Sequence, residues 1–391
     1  MGSMGGVLLT GATGFVGMEL LSRFLERSER PVYALVRAGD QAQARERLSR
    51  SLSTLYGGGN AFPDRLVPVP GDLEVPGLGL EAGRREALAG QVEDIVHGAA
   101  SVSFELPLED ARRINVEGTR RVLEFADLCD RRGGLRRFSY ISTAYVSGTH
   151  AGEFREDQLD VGQGFRNSYE QSKFEAERLV RVQGDRLPVQ IFRPSIIVGE
   201  QDSGWTASFN VLYSPLKAFA RGQLPLLPAR RDTRVDVVPV DYVADAVFEL
   251  VNRPGEPGET YQLVAGERST TVGRMIDLSA SLLRRRRPLV IPPRLYRRLL
   301  HPLLLRRSGG RRRQALERME AFFPYFAMAV RFRDERARRR LEARAITPPP
   351  VESYFRRLLD FALAARWGRA GLGRADARSR TRRSSGGGVR T

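Results

Sequence analysis

The chain has 391 residues, of which 63 are Lys or Arg and 46 are Asp or Glu, for a formal net charge of +17. With 41% apolar residues it has the composition of a folded chain long enough for one large or two medium domains. A single cysteine, Cys129, excludes an internal disulfide framework and a Cys-rich zinc module, and three scattered histidines give no basis for a metal site.

No apolar run approaches the ~18 residues that a membrane span requires. The N-terminus lacks the basic stretch and cleavage site of an export signal, so a cytoplasmic protein is expected. The charge is unevenly placed. Only Lys173 and Lys217 are lysines, and every other basic residue is an arginine. From Ser281 to Thr391, 30 arginines against 8 acidic residues give +22, which leaves −5 for residues 1–280.

Val7-Leu8-Leu9-Thr10 is an apolar run suited to a buried strand. Gly11-Ala12-Thr13-Gly14-Phe15-Val16-Gly17 follows at once, and then Phe15, Leu20, Leu21, Phe24 and Leu25 recur at helical spacing. Pro31 stops the helix, and Val32–Val36 reads as a second strand. A glycine turn between a strand and a helix fits dinucleotide binding. Gly11 permits the tight turn, Gly14 lets the backbone approach a pyrophosphate, and Gly17 lets the helix lie close to the sheet. The N–H groups at the helix start, over Thr13–Gly17, face the phosphates. Arg37 occupies the end of the second strand, where a carboxylate would select NAD. An arginine there suits the additional phosphate of NADP, with Arg45 and Arg47 on the next helical stretch able to assist.

Further strands are predicted at Leu66–Pro70, Asp94–His97, Arg137–Ser142 and Val189–Arg193, with helical segments such as Leu108–Leu128 between them. This alternation predicts an α/β fold, a Rossmann-type doubly wound parallel sheet covered on both faces, with ligands at the carboxyl ends of the strands.

Tyr169-Glu170-Gln171-Ser172-Lys173 places a phenol and an ammonium one turn apart on a helix. A nearby cation favours the phenolate, so the expectation is a lowered tyrosine pKa and a general acid. The lysine could also serve a nicotinamide ribose, a task for which arginine's planar fork is poorly shaped. Ser142-Thr143 closes the fifth strand. Thr143 is the candidate donor to a substrate carbonyl oxygen and Ser142 its support.

These motifs resemble the extended short-chain dehydrogenase/reductases, as does Pro239-Val240-Asp241-Tyr242-Val243-Ala244. The resemblance implies that Asp72 and Leu73 flank the adenine, that Ala99, Ala100 and Ser101 line the cofactor path, and that Pro194, Ser195 and Ile197 border the nicotinamide. Val32–Arg37, Val67–Leu80, His97–Phe104, Tyr140–Val146 and Phe209-Asn210-Val211 through Gly222 are similar to thioester reductases and fatty acyl-CoA reductases. The implied reaction is NADPH-dependent reduction of an acyl thioester, on coenzyme A or an acyl carrier protein, to an aldehyde or, with a second hydride, to a primary alcohol. The alternative is an extended short-chain enzyme acting on a ketone or aldehyde, a hydroxysteroid or a nucleotide sugar. A regulator without turnover would be expected to have lost the Tyr/Lys pair.

The expected organisation is a cofactor domain over residues 1–194, to which 235–263 returns. A smaller, mostly helical substrate region covers 195–367, and 368–391 form a disordered basic tail. Arg284–Arg287, Arg297, Arg298, Arg306, Arg307, Arg311–Arg313 and Arg338–Arg340 alternate with Leu299, Leu300 and Leu303–Leu305. Such a surface would attract an anionic thioester carrier or an anionic membrane; nucleic acid is unlikely, since no recognition motif accompanies the charge.

Overall fold

Val7, Leu8 and Leu9 are fully buried, as are most apolar residues of the later strands, because a parallel sheet covered on both faces turns neither side to water. The strands are β1 (Gly6–Thr10), β2 (Val32–Arg37), β3 (Leu66–Gly71), β4 (Val92–His97), β5 (Arg137–Ile141), β6 (Val189–Pro194) and β7 (Thr260–Leu263). They form one seven-stranded parallel sheet in the order β7-β6-β5-β4-β1-β2-β3. The computed structural model describes residues 5–59, 62–209, 211–253, 255–307, 309–310, 325 and 328–386, without the side chains of 304, 305, 307 and 384–386. Asn210, the Arg311–Arg313 cluster, residues 387–391 and the side chains of Leu304, Leu305 and Arg307 therefore lie outside the described residues.

The helices that bear on the site are α1 (Phe15–Arg27), α2 (Gln41–Tyr56), α3 (Gly118–Gly133), α4 (Ser168–Val182), α5 (Val240–Asn252) and α6 (Arg374–Gly386). On one face of the sheet, Leu20 and Phe24 of α1, Leu48 of α2 and Val247 of α5 pack with Val7, Leu9 and Ala34. On the other, Val122 and Phe125 of α3 and Val180 of α4 pack with Leu8, Ile95 and Phe138. The sheet is thus wound on both sides, and the carboxyl ends of β1, β4, β5 and β6 open toward one edge of the molecule. Asp40 caps α2 by accepting from Gln43 N at 2.8 Å, and Asn167 caps α4 by accepting from Glu170 N at 3.0 Å. The helix expected over Leu108–Leu128 is broken instead. A short α segment, Leu108–Arg112, passes through a π turn at Arg113–Glu117 into α3, which continues to Gly133.

The region after Ser195 adds small two-stranded pairings as well as helices. Val330–Phe332 pairs with Gly152–Phe154, and Leu289–Ile291 pairs with Leu226–Pro228. Phe355 and Leu358 are buried against Val198 and Leu216. The basic quarter is therefore built into the fold.

Residues 368–391, expected as a disordered tail, carry α6. Arg374 is 1% exposed; its Nη1 lies 3.1 Å from Glu19 on α1, and its Nη2 lies 3.2 Å from Glu26. Arg378 pairs with Glu200. An Arg-, Ser- and Gly-rich stretch has few apolar residues with which to dock, but Ala377 and Leu372 pack against Leu55 and Phe361, and the buried Glu19 on a distant helix supplies the anchor for Arg374. Arg374→Met should therefore leave Glu19 partly uncompensated and lower stability by about 3 kcal/mol. The urea midpoint should fall, whereas Arg382→Ala on the exposed face should leave it unchanged.

Candidate active site

The turn after β1 is shaped for an anionic cofactor. Gly11 has φ +78°, and a Cβ there would lie 2.8 Å from Ala99 N. A Cβ on Gly17 would lie 1.9 Å from Gly11 O, so only glycine lets α1 approach the loop this closely. Gly14 is the N-cap of α1 and brings no side-chain cap, so the first-turn N–H groups, including those of Phe15 and Val16, are left for a ligand. Thr13 and Gly14 are exposed at the mouth of this turn. A loop with backbone donors and no Cβ in the way fits the pyrophosphate of a nicotinamide dinucleotide.

Arg37 ends β2 with 70% exposure, and its nearest carboxylate is Glu74, at 3.7 Å. Arg45 stacks on Phe62 at 4.0 Å, and Arg47 is exposed on α2. Asp72 Oδ1 accepts from Glu74 N at 2.9 Å, and Leu73 packs against Gly118 at the start of α3. Ala99 N donates to Thr10 Oγ1 at 3.2 Å. Ala99, Ala100 and Ser101 thus leave the end of β4 beside the glycine turn. Pro194 ends β6, the Ser195 hydroxyl faces Asp236, and Ile197 sits in a short strand paired with Val238.

Thr143 and Tyr169 come together. Thr143 is buried and Tyr169 half-buried, and the phenol faces the Thr143 hydroxyl. Thr143 Oγ1 also reaches Pro194 O at 3.4 Å. Lys173 is buried behind them, but its ammonium does not sit against Tyr169 as the spacing alone suggests. Nζ donates to Tyr140 Oη at 2.7 Å and to Ile141 O at 2.8 Å. Shared helix phase aligns the two Cα–Cβ bonds, and the acceptors on β5 then decide where the ammonium goes. The expected fall in the tyrosine pKa is accordingly absent. Burial pushes Tyr169 up to about 12, with the Thr143 hydrogen bond pulling the other way. Burial pushes Lys173 down to about 7, partly offset by Glu177. Ser142 is committed elsewhere, since its hydroxyl donates to the buried Glu177 at 2.6 Å.

Several neighbours escape the motif reading. Asn115, in the π turn, accepts from Ser101 N at 2.8 Å and donates from Nδ2 to Ser101 O at 3.1 Å and Ser172 Oγ at 2.9 Å. It ties the Ala99–Ser101 loop to the helix carrying Tyr169 and Lys173. An asparagine inside a helical pattern, where it is a weak helix former, was the available signal. Phe104 lies 5.7 Å from the Tyr169 ring and stacks on Tyr325 at 5.5 Å. Tyr325 Oη donates to Glu170 Oε1 at 2.7 Å and accepts from Asn167 at 2.8 Å. The basic quarter thus contributes an aromatic wall beside Tyr169. Beyond Tyr145, a cleft of about 30 Å³ bounded by Ile196 and Tyr325 shares Val235 with an apolar cleft of about 70 Å³, which is lined by Leu216, Phe219, Met275 and Ile276.

The family model described as male sterility protein, NAD-binding, matches residues 9–247, which covers the glycine turn and the Thr143, Tyr169 and Lys173 positions. The chain belongs to this family. It is an extended short-chain dehydrogenase/reductase resembling thioester reductases, a family that works with a nicotinamide cofactor. Among solved structures, the terminal R domain of the myxalamid PKS-NRPS pathway is similar at 27% identity and a TM-score of 0.80, over 94% of this chain and 92% of that one. The thiolation-reductase di-domain of an archaeal non-ribosomal peptide synthetase shares the fold, with 22% identity and a TM-score of 0.72 over 93% of this chain and 76% of that one. The L-2-aminoadipate reductase large subunit of Eremothecium gossypii is 33% identical over 261 residues, which are 61% of this chain and 18% of that protein. The chain spans between 5% and 28% of the length of the first curated relatives it matches.

Proposed function

We propose that the chain is an NADPH-dependent reductase of acyl thioesters carried on phosphopantetheine, either of a carrier protein or of coenzyme A. The observation that carries this reading is the likeness to a terminal R domain over 94% of the chain, which extends well past the cofactor-binding part into the C-terminal region. The Thr143–Tyr169 pair supports it, because two hydroxyls converge where a carbonyl oxygen would lie beside the cofactor loop.

Bound NADPH supplies the hydride. Thr143 and Tyr169 donate hydrogen bonds to the oxygen that becomes negative, and Tyr169 gives it the proton. Lys173 holds positive charge behind them, with one N–H beyond those given to Tyr140 and Ile141 available for the ribose hydroxyls. The thiohemiacetal then expels its thiol and leaves an aldehyde, and a second round yields the primary alcohol. The apolar cleft beyond Val235 accommodates the acyl chain. Exposed arginines at 284–286, 294, 297 and 298 steer the anionic carrier.

The test follows NADPH consumption with a panel of acyl thioesters on coenzyme A and on a phosphopantetheinylated carrier protein, with free aldehydes as controls. Thioester-dependent oxidation is expected; activity on aldehydes alone would replace the assignment with a simple carbonyl reductase. Arg37 sets the cofactor preference in this reading, because its long ion pair to Glu74 leaves the guanidinium free to turn to a 2′-phosphate. NADPH should bind roughly tenfold tighter than NADH, about 1.4 kcal/mol, and Arg37→Ala should remove the difference. Fluorescence titration of both nucleotides against both proteins measures it, and equal affinities in the parent would end the NADPH assignment.

A further inference from the structure

The ammonium of Lys173 rests on a buried hydrogen-bond chain whose proton positions can be read out one by one. Thr119 Oγ1 lies 2.6 Å from Asn115 O, and a carbonyl can only accept, so the Thr119 proton is spent there. His97 Nε2 lies 3.0 Å from the same hydroxyl oxygen, and the Tyr140 phenol faces it. With the Thr119 proton spent, His97 must donate to it. His97 therefore carries its proton on Nε2. Its bare Nδ1 accepts from Thr10 Oγ1 at 2.7 Å, and Thr10 in turn accepts from Ala99 N at 3.2 Å. The Tyr140 phenol oxygen, beside Thr119, accepts from Lys173 Nζ, 2.7 Å away.

The chain runs from the residue that precedes Gly11, through His97 at the end of β4, to the phenol on β5 that holds the lysine. Thr10, His97, Asn115, Thr119, Tyr140 and Lys173 are all buried, so the bonds among them form without competition from water. The groups facing Lys173 are Glu177 from its own helix, Tyr140 from β5 and His97 from β4. Glu177 itself is tied to Arg193 of β6. His97 is held neutral, because burial and then the nearby Lys173 push it down to about 3. A neutral imidazole is what the chain requires, since an imidazolium would have no lone pair for Thr10.

We propose that Tyr140 is a positioning residue, whose phenol oxygen, oriented by the Thr119–His97–Thr10 chain, fixes the Lys173 ammonium and ties it to the cofactor turn. This rests on the role of Lys173 given under Proposed function, but it can be tested without turnover. The chain contains only two lysines, Lys173 and Lys217. Full-length protein labelled with carbon-13 at lysine Cε therefore gives two NMR signals, assigned with Lys217→Arg.

In the parent, the Lys173 signal should titrate near 7. Tyr140→Phe removes the acceptor but keeps the ring, so its midpoint should fall by about one pH unit, a tenfold change in proton affinity. Thr119→Val leaves the phenol in place but removes the group that orients it, and should shift the midpoint the same way by less. The Lys217 signal should not move in either variant. A Lys173 midpoint unchanged in Tyr140→Phe overturns the proposal, as does an unchanged midpoint in Thr119→Val should the phenylalanine variant not fold. The alkaline limb of NADPH-coupled turnover should follow the NMR midpoint in each protein. A parent that titrates as expected but oxidises no NADPH with any thioester would remove the reductase assignment and leave the positioning role standing.

Discussion

Tyr169→Phe is expected to lose about 10²–10⁴-fold in turnover while binding NADPH as the parent does, the loss typical of removing a positioned proton donor. The phenylalanine keeps the ring that packs 5.7 Å from Phe104 and deletes only the hydroxyl that faces Thr143. The pH behaviour separates the two partners of the pair. Burial holds Tyr169 up at about 12, so the phenol is fully protonated through the neutral range, which is the correct state for an acid. Its acidity must be recruited during the reaction by the negative charge forming on the substrate oxygen. Any alkaline limb near 7 in the parent therefore belongs to Lys173, whose ammonium is lost as the pH rises through that value. Rapid-mixing measurement of a single turnover, with cofactor affinity measured in parallel, tests the prediction; a fully active phenylalanine variant would remove Tyr169 from the chemistry.

The legible parts of this molecule are those whose cause is local. A strand, a glycine turn and a helix fall within Gly6–Arg27, so periodicity and the steric demands of Gly11 and Gly17 are written in adjacent residues. Tyr169 and Lys173 share a helix and were visible for the same reason. The partner of Lys173 was not, because Tyr140 lies 33 residues away on strand β5, and an i,i+4 rule says nothing about acceptors on the sheet beneath the helix. The docked C-terminal helix was hidden in the same way. Arg374 and Glu19 are 355 residues apart, and neither is unusual among its sequence neighbours. Some arginines of the basic quarter answer carboxylates elsewhere in the fold, as Arg344 answers Glu249 and Arg374 answers Glu19, which charge counting could not show, while most of its described arginines face outward.

The same logic of long-range compensation makes Arg193→Met the substitution expected to cost most in stability. Arg193 and Glu177 are both 0% exposed, with Nη2 2.6 Å from Oε1. Burial alone would raise the glutamate's pKa; Arg193, and then Arg181, more than offset it and hold the carboxyl below its ordinary range. Removing Arg193 leaves that carboxylate buried with only Arg181 and the Ser142 hydroxyl, a loss of about 3–5 kcal/mol. The double variant Arg193→Met with Glu177→Gln should recover part of it, because no unpaired charge is then left inside. Since the folded carboxyl titrates below its unfolded value, the pair stabilises above the ordinary glutamate range near 4.3 and the benefit disappears as the pH falls through the folded value. The parent should therefore lose stability on acidification more steeply than the double variant. Urea denaturation of all three proteins at neutral and acidic pH decides the matter, and a single variant as stable as the parent would show that the pair contributes nothing. Because Ser142 hangs from the same carboxylate one residue before Thr143, the single variant should also lose turnover at temperatures where it remains folded.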